Sequence, residues 1–116
     1  MVKAETVHKP WGKEEILIKT EDYVMKRISI NAGHRMSLQY HELKEETIYV
    51  ISGTLIVWKS KDLYDHVTIS PGEVYHVKPT EIHRFGALDQ SDTVILECST
   101  TELEDVVRLA DDYNRS

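Results

Sequence analysis

One cysteine, Cys98, stands in the 116 residues of this chain, so no intramolecular disulfide can form. An oxidising compartment is not required, and the cytoplasm is the expected location. No stretch approaches the roughly eighteen consecutive apolar residues of a membrane-spanning helix. The opening MVKAETVHKPWG holds no apolar segment, and no signal peptide is expected. Positive charge is scarce: 14 Lys and Arg against 20 Asp and Glu leave a formal net charge of −6. That balance argues against nucleic acid and against an anionic membrane as partners. It leaves room for a small anionic substrate, because a local basic cluster can hold a phosphate inside an acidic protein. Low-complexity segments, linkers and repeats are also missing. The length suits one core and not two, so a single domain over 1–116 is expected.

What is present reads as short strands. Apolar, β-branched runs fall at 15–19, 23–30, 47–51, 54–58, 67–69, 74–77 and 93–97. Asn31-Ala32-Gly33, Ser70-Pro71-Gly72 and Lys78-Pro79-Thr80 supply turns between them. The two-residue link Ser52-Gly53 predicts a tight hairpin joining 47–51 to 54–58. Closely spaced strands of this kind indicate an all-β sandwich or barrel. The C-terminal part differs. Thr101 and Glu104 have capping-box spacing, and Leu103, Val106, Val107 and Ala110 follow helical spacing, which predicts one short C-terminal helix.

Four residues have metal-donor chemistry in two clusters: Gln39, His41 and Glu46, then His83. Amide oxygen, imidazole nitrogen and carboxylate oxygen all bind divalent cations. Gln39 and His41 are two apart, so on a strand both point to one face. Glu46 opens the next apolar run, and His83 follows a proline-containing turn. A lone histidine in a β protein is more often a surface or internally satisfied residue, and His8, His34, His66 and His76 are read that way.

The spacing of these residues resembles the cupin superfamily. Its first motif, G-x5-H-x-H-x3,4-E-x6-G, is matched by Gly33, Gln39, His41, Glu46 and Gly53, with Gln in place of the first His. Its second, G-x5-P-x-G-x2-H-x3-N, is matched in spacing by Gly72 and His83, with Lys78, Thr80 and Ala87 substituted for Pro, Gly and Asn. Nearly the whole chain is similar to the C-terminal isomerase domain of type II mannose-6-phosphate isomerase/mannose-1-phosphate guanylyltransferase. The segments carrying this are His8-Lys9-Pro10-Trp11-Gly12, Ser37-Leu38-Gln39-Tyr40-His41, Val50-Ile51-Ser52-Gly53-Thr54, Ile82-His83-Arg84 and the stretch from Glu104 to Arg115. The resemblance implies a cupin double-stranded β-helix (a jelly-roll barrel) and a homodimer. It also implies a metal set of Gln39, His41, Glu46 and His83. Two features depart from the family: residues 42–45 replace a histidine-rich segment, and no glycine-rich phosphate loop is present, so no nucleotide-sugar synthesis is expected of the chain alone.

Such a site would hold one divalent ion, with Zn²⁺ the expected one and Co²⁺, Ni²⁺, Mn²⁺ or Fe²⁺ compatible with the same donors. A Lewis acid of this kind suits aldose–ketose isomerisation. The resemblance implies interconversion of mannose 6-phosphate and fructose 6-phosphate, feeding polysaccharide or nucleotide-sugar synthesis. Alternation can turn Lys26, Glu97 and Tyr49 inward, which makes them candidates for the base. Arg35, Arg84, Arg108 and Arg115 are the cations available for a phosphate. Arg84, beside His83, and Lys26 are the catalytic candidates; Arg108, Arg35 and Tyr49 are the substrate-binding candidates. Two other readings stand beside the isomerase: a non-catalytic cupin that binds a sugar or metabolite, and a cupin enzyme of another class, such as an epimerase or dioxygenase.

Overall fold

The computed structural model describes residues 3–115. In chain order the strands are β1 (Glu5–Lys9), β2 (Gly12–Lys19), β3 (Val24–Ile30), β4 (Leu38–Tyr40), β5 (Glu46–Ser52), β6 (Leu55–Trp58), β7 (His66–Ile69), β8 (Val74–Val77), β9 (Arg84–Ala87), β10 (Thr93–Ser99) and β11 (Val107–Ala110). A six-stranded sheet runs β1-β2-β3-β10-β5-β8, a three-stranded sheet runs β7-β6-β9, and β4 pairs with β11. The architecture is all-β and cupin-like.

Alternation along the strands builds the interior. Val24, Lys26, Ile28 and Ile30 of β3 are buried, as are Glu46, Ile48 and Val50 of β5 and Thr93, Ile95, Glu97 and Ser99 of β10. Ile28, Ile30, Ile48, Val50 and Ile95 pack with Trp11, Leu55, Val57, Val77, Phe85 and Ala87 in one cluster. Each fully buried aliphatic or aromatic side chain there contributes about 1.5–3 kcal/mol of transfer free energy. Cross-strand register places Ile28 opposite Ile95 and Ile95 opposite Val50, so the core side chains meet at one level of the barrel.

The expected hairpin across Ser52-Gly53 does not form. Both edges of β5 are already occupied, by β10 on one side and β8 on the other, so β6 has no place beside it. The chain crosses to the three-stranded sheet at Gly53, where φ is +76°. A Cβ there would collide with the Asp92 carbonyl oxygen and lie 2.8 Å from Thr93 Oγ1. The same hydroxyl donates to the Thr54 carbonyl at 2.8 Å and fixes the corner. A glycine that reads as a hairpin signal therefore marks a change of sheet.

The expected C-terminal helix is also absent; among the described residues there is no helix. Residues 107–110 form β11 and pair with β4, Val107 opposite Tyr40 and Arg108 opposite Gln39. Tertiary contacts outweigh the local helical signal. An isolated helix of about ten residues is marginal in water, and adjacent Val106 and Val107 lower its propensity further. As a strand the segment instead satisfies the backbone groups of β4. Asp105 locks it in place. Its carboxylate accepts the backbone N–H groups of Glu42, Leu43 and Lys44 at 3.1, 2.7 and 3.0 Å. Those three bonds hold the Asp105 carboxyl below the usual carboxylate range, the Leu43 N–H making the largest contribution.

Candidate metal centre

Three chain segments meet at the polar end of the barrel interior. His41 follows β4, Glu46 is the first residue of β5, and His83 precedes β9. Gln39 and His83 form an antiparallel bridge, each N–H donating to the other's carbonyl at 2.9 Å. The Thr80 N–H donates to the His41 carbonyl at 2.6 Å, tying the second cluster to the first. About forty residues of sequence separation are removed in this way. One ligand atom from each of His41, Glu46 and His83 lies within 4.8 Å of the others, and the three side chains are only 4%, 3% and 1% exposed.

The hydrogen bonds define the imidazoles. His41 Nδ1 lies 2.5 Å from the Asp105 carbonyl oxygen, and His83 Nδ1 lies 3.0 Å from the Glu81 carbonyl oxygen. A carbonyl can only accept, so each Nδ1 carries the proton. In the neutral rings each Nε2 then presents a lone pair. Both Nε2 atoms are buried without a hydrogen-bond partner. They face Glu46 Oε1, at 3.6 Å from His41 and 3.2 Å from His83. Three acceptors converging in a buried space require a cation between them, either a second proton on an imidazole or a metal ion. Histidine ligands that donate their other N–H to a backbone carbonyl are the usual outer-shell arrangement of metal sites. The residues fit a divalent ion held by His41, Glu46 and His83, without selecting which ion.

Charge alternates outward from this cluster. Lys44 Nζ lies 3.2 Å from Glu46 Oε2 and 3.0 Å from Glu97 Oε1. Burial opposes ionisation of Glu46, but N–H donation from the two imidazoles, when Nε2 carries a proton, and the Lys44 ammonium outweigh it and hold the carboxyl well below the usual range. Glu97 is pushed the other way, up to about 7, chiefly by burial and then by the Glu46 charge, with Lys44 and Lys26 opposing. Lys44 is held in its charged form despite burial by Glu97 and Glu46. Lys26, directly across from Glu97 in the β3–β10 register, pairs with Glu14 at 2.7 Å.

The expected residues divide by position. Gln39, Lys26, Glu97 and Arg108 line a cavity of about 100 Å³ together with His41 and Glu46. The Gln39 Oε1 accepts the Ser37 hydroxyl at 2.5 Å. Arg84 is outside this lining: it donates to the Met36 and Ala110 carbonyls at 2.9 and 3.2 Å and lies 3.6 Å from Asp112, bracing β11. Arg35 pairs with Asp112 through two bonds of 2.6 and 3.0 Å and lies over Trp58, also away from the cavity. Tyr49 points outward and is 44% exposed. Its distance from Glu46 accounts for this, because residues three apart on a strand face opposite sides. Sequence reasoning missed Lys44 and Asp105. Asp105 carries no local signal, since its partners lie some sixty residues away.

Comparison with known proteins bears on this geometry. The mannose-1-phosphate guanylyltransferase of Salmonella muenchen is 29% identical over 106 residues, covering 91% of this chain and 21% of that protein. The chain thus spans about a fifth of the length of the curated relatives it matches. The polyketide cyclase RemF of Streptomyces resistomycificus superposes with a TM-score of 0.77 at 23% identity, covering 93% of this chain and 80% of that one. A sugar phosphate isomerase of the cupin superfamily from Silicibacter pomeroyi gives 0.65 at 18% identity, covering 77% and 59%. These two structures speak for the fold. The model of the family described as mannose-6-phosphate isomerase C-terminal matches residues 1–111, a span that holds every strand and all three donor residues. By that match this cupin-fold chain belongs to the mannose-6-phosphate isomerase C-terminal family.

Proposed function

We propose that the chain is a metal-dependent sugar-phosphate isomerase, acting as one domain over 1–116, that interconverts mannose 6-phosphate and fructose 6-phosphate. The observation that carries the reading is the pair of unpartnered imidazole nitrogens facing one carboxylate beside a cavity lined with cations. His41, Glu46 and His83 hold the ion in this reading, with the Gln39 amide oxygen as a fourth donor and Zn²⁺ as the ion. When bound, such an ion supplies Lewis-acid stabilisation of the negative charge that develops during isomerisation.

The remaining work falls to the chain. Arg108 binds the phosphate, since a guanidinium matches two phosphate oxygens at once. Lys26, anchored by Glu14, donates to substrate oxygens. Glu97 removes the proton from the carbon next to the carbonyl and returns it to the neighbouring carbon. A carboxyl raised to about 7 is matched to that task, because it accepts and releases a proton near neutral pH. The cytoplasm and a homodimeric state complete the proposal.

A coupled assay for mannose 6-phosphate turnover tests it. Activity lost on chelation and restored by Zn²⁺ or Co²⁺ is expected. Metal-loaded protein that shifts its melting temperature with sugar phosphates but turns none over would identify a binding cupin instead.

A further inference from the structure

Lys44 is unusual in this molecule. Its side chain is 7% exposed, yet its ammonium touches two carboxylates and lies outside the donor triad. The loop carrying it is not free to move it away, because Asp105 accepts the N–H groups of residues 42, 43 and 44. The two oxygens of Glu46 are divided as a result. Oε1 faces the imidazole nitrogens of His83 and His41 at 3.2 and 3.6 Å, while Oε2 faces Lys44 at 3.2 Å. Glu97 is drawn to the other side of the same ammonium, at 3.0 Å. Take the ammonium away and two buried carboxylates remain close to two neutral imidazoles. The strongest cation left to neutralise them is then whatever ion sits among the imidazoles.

We propose that Lys44 is a positioning residue that sets the composition of the metal centre: it keeps Glu46 a one-oxygen ligand and keeps the Glu97 carboxylate out of the coordination shell. The inference rests on the metal reading of the centre. It has a consequence opposite to that of ordinary structural support. Loss of a supporting residue weakens metal binding, whereas loss of Lys44 strengthens it, because Glu46 Oε2 and Glu97 become available to the ion. The centre that results is more closed and has fewer positions for substrate.

The test uses the full-length chain, stripped of metal and titrated with Co²⁺ alone, followed by its visible absorption. Wild type is compared with K44M, K44R, E97Q and the K44M/E97Q double variant. K44M is expected to bind Co²⁺ at least about tenfold more tightly, with weaker visible bands as the coordination number rises, and to lose turnover through kcat. K44R is expected to restore wild-type affinity and spectrum. In the E97Q background the K44M gain shrinks, which shows that Glu97 had entered the shell. Co²⁺ binding to K44M equal to or weaker than wild type overturns the inference. If K44M does not fold, E97Q carries the test: affinity within about threefold of wild type supports an outer position for Glu97, and a loss beyond about tenfold overturns it. Wild type that binds no Co²⁺ overturns the metal reading itself, a result distinguishable from any change confined to Lys44 variants.

Discussion

Ile28, Ile95 and Ile48 lie on the same three strands as Lys26, Glu97 and Glu46, each pair two residues apart and on one face. The isoleucines form a dry core; the others form a charged centre of similar burial. Phe85 and His83 repeat the relation in a fourth segment. The difference teaches that alternation decides only whether a side chain points inward. What the interior does at a given level depends on the partners delivered by distant segments. At the apolar level, shape alone suffices. At the charged level every group needs a counterpart, and Lys44, Asp105 and the Glu81 carbonyl come from loops rather than from the sheets.

The largest effects should come from breaking the charged level. H83A, which removes one donor and opens the bridge side of the cluster, is expected to weaken metal binding by at least about a hundredfold and to abolish turnover, as read by metal titration and the coupled assay. H41A should do the same. The apolar level should respond differently. I95A is expected to cost about 2–5 kcal/mol by denaturant unfolding, with metal affinity in the folded fraction close to wild type. If I95A were instead to abolish metal binding without loss of stability, the separation of the two levels would be wrong.

A pH experiment sharpens the comparison further. Burial pushes the folded Glu97 carboxyl up to about 7, above the 4.5 of a carboxyl in an unstructured chain. A raised carboxyl means the folded state holds its proton more tightly than the unfolded state does. The stability this contributes is fully present below about pH 4.5 and is lost as pH rises through about 7. Metal-free protein should therefore melt at a lower temperature at pH 8 than at pH 6, and E97Q should show a smaller drop. The smallest expected effect concerns backbone strain beneath the centre. Thr80 sits at φ +69°, an unfavourable region for a β-branched residue. T80G should stabilise the chain by about 1 kcal/mol in thermal melts, the relief of strain exceeding the entropy cost of glycine.

The fold was legible where a strand carries its own pattern. Residues 74–77 form β8 as expected, and β3 and β10 overlap the predicted runs. The strands β4, β9 and β11 were not, because these three- and four-residue segments pair with strands remote in sequence; β1 carries no apolar run of its own and is set by its hairpin with β2. The helix expected near Val106 failed for that reason: its spacing is local, while its pairing with β4 is not. Gly53 was legible as a turn and illegible as a change of sheet, since nothing in Ser52-Gly53 states that both edges of β5 are occupied. At the site, donor spacing brought His41, Glu46 and His83 into one hypothesis, and the structure brings their ligand atoms together. Tyr49 could have been rejected from the sequence alone. If Glu46 faces in, parity turns Tyr49 out. Lys44 had no such signal, because its role depends on the distance between two carboxylates from different strands.

The central claim is that the charged level of the barrel is a divalent-metal centre built on His41, Glu46 and His83. Metal analysis of the purified chain, repeated on H83A, tests it most directly. One divalent ion per wild-type chain, removed by chelator, regained on dialysis against Zn²⁺ or Co²⁺ and missing from folded H83A, is the predicted result. Wild type that retains no stoichiometric ion under any of these conditions, or H83A that retains it undiminished, would contradict the account.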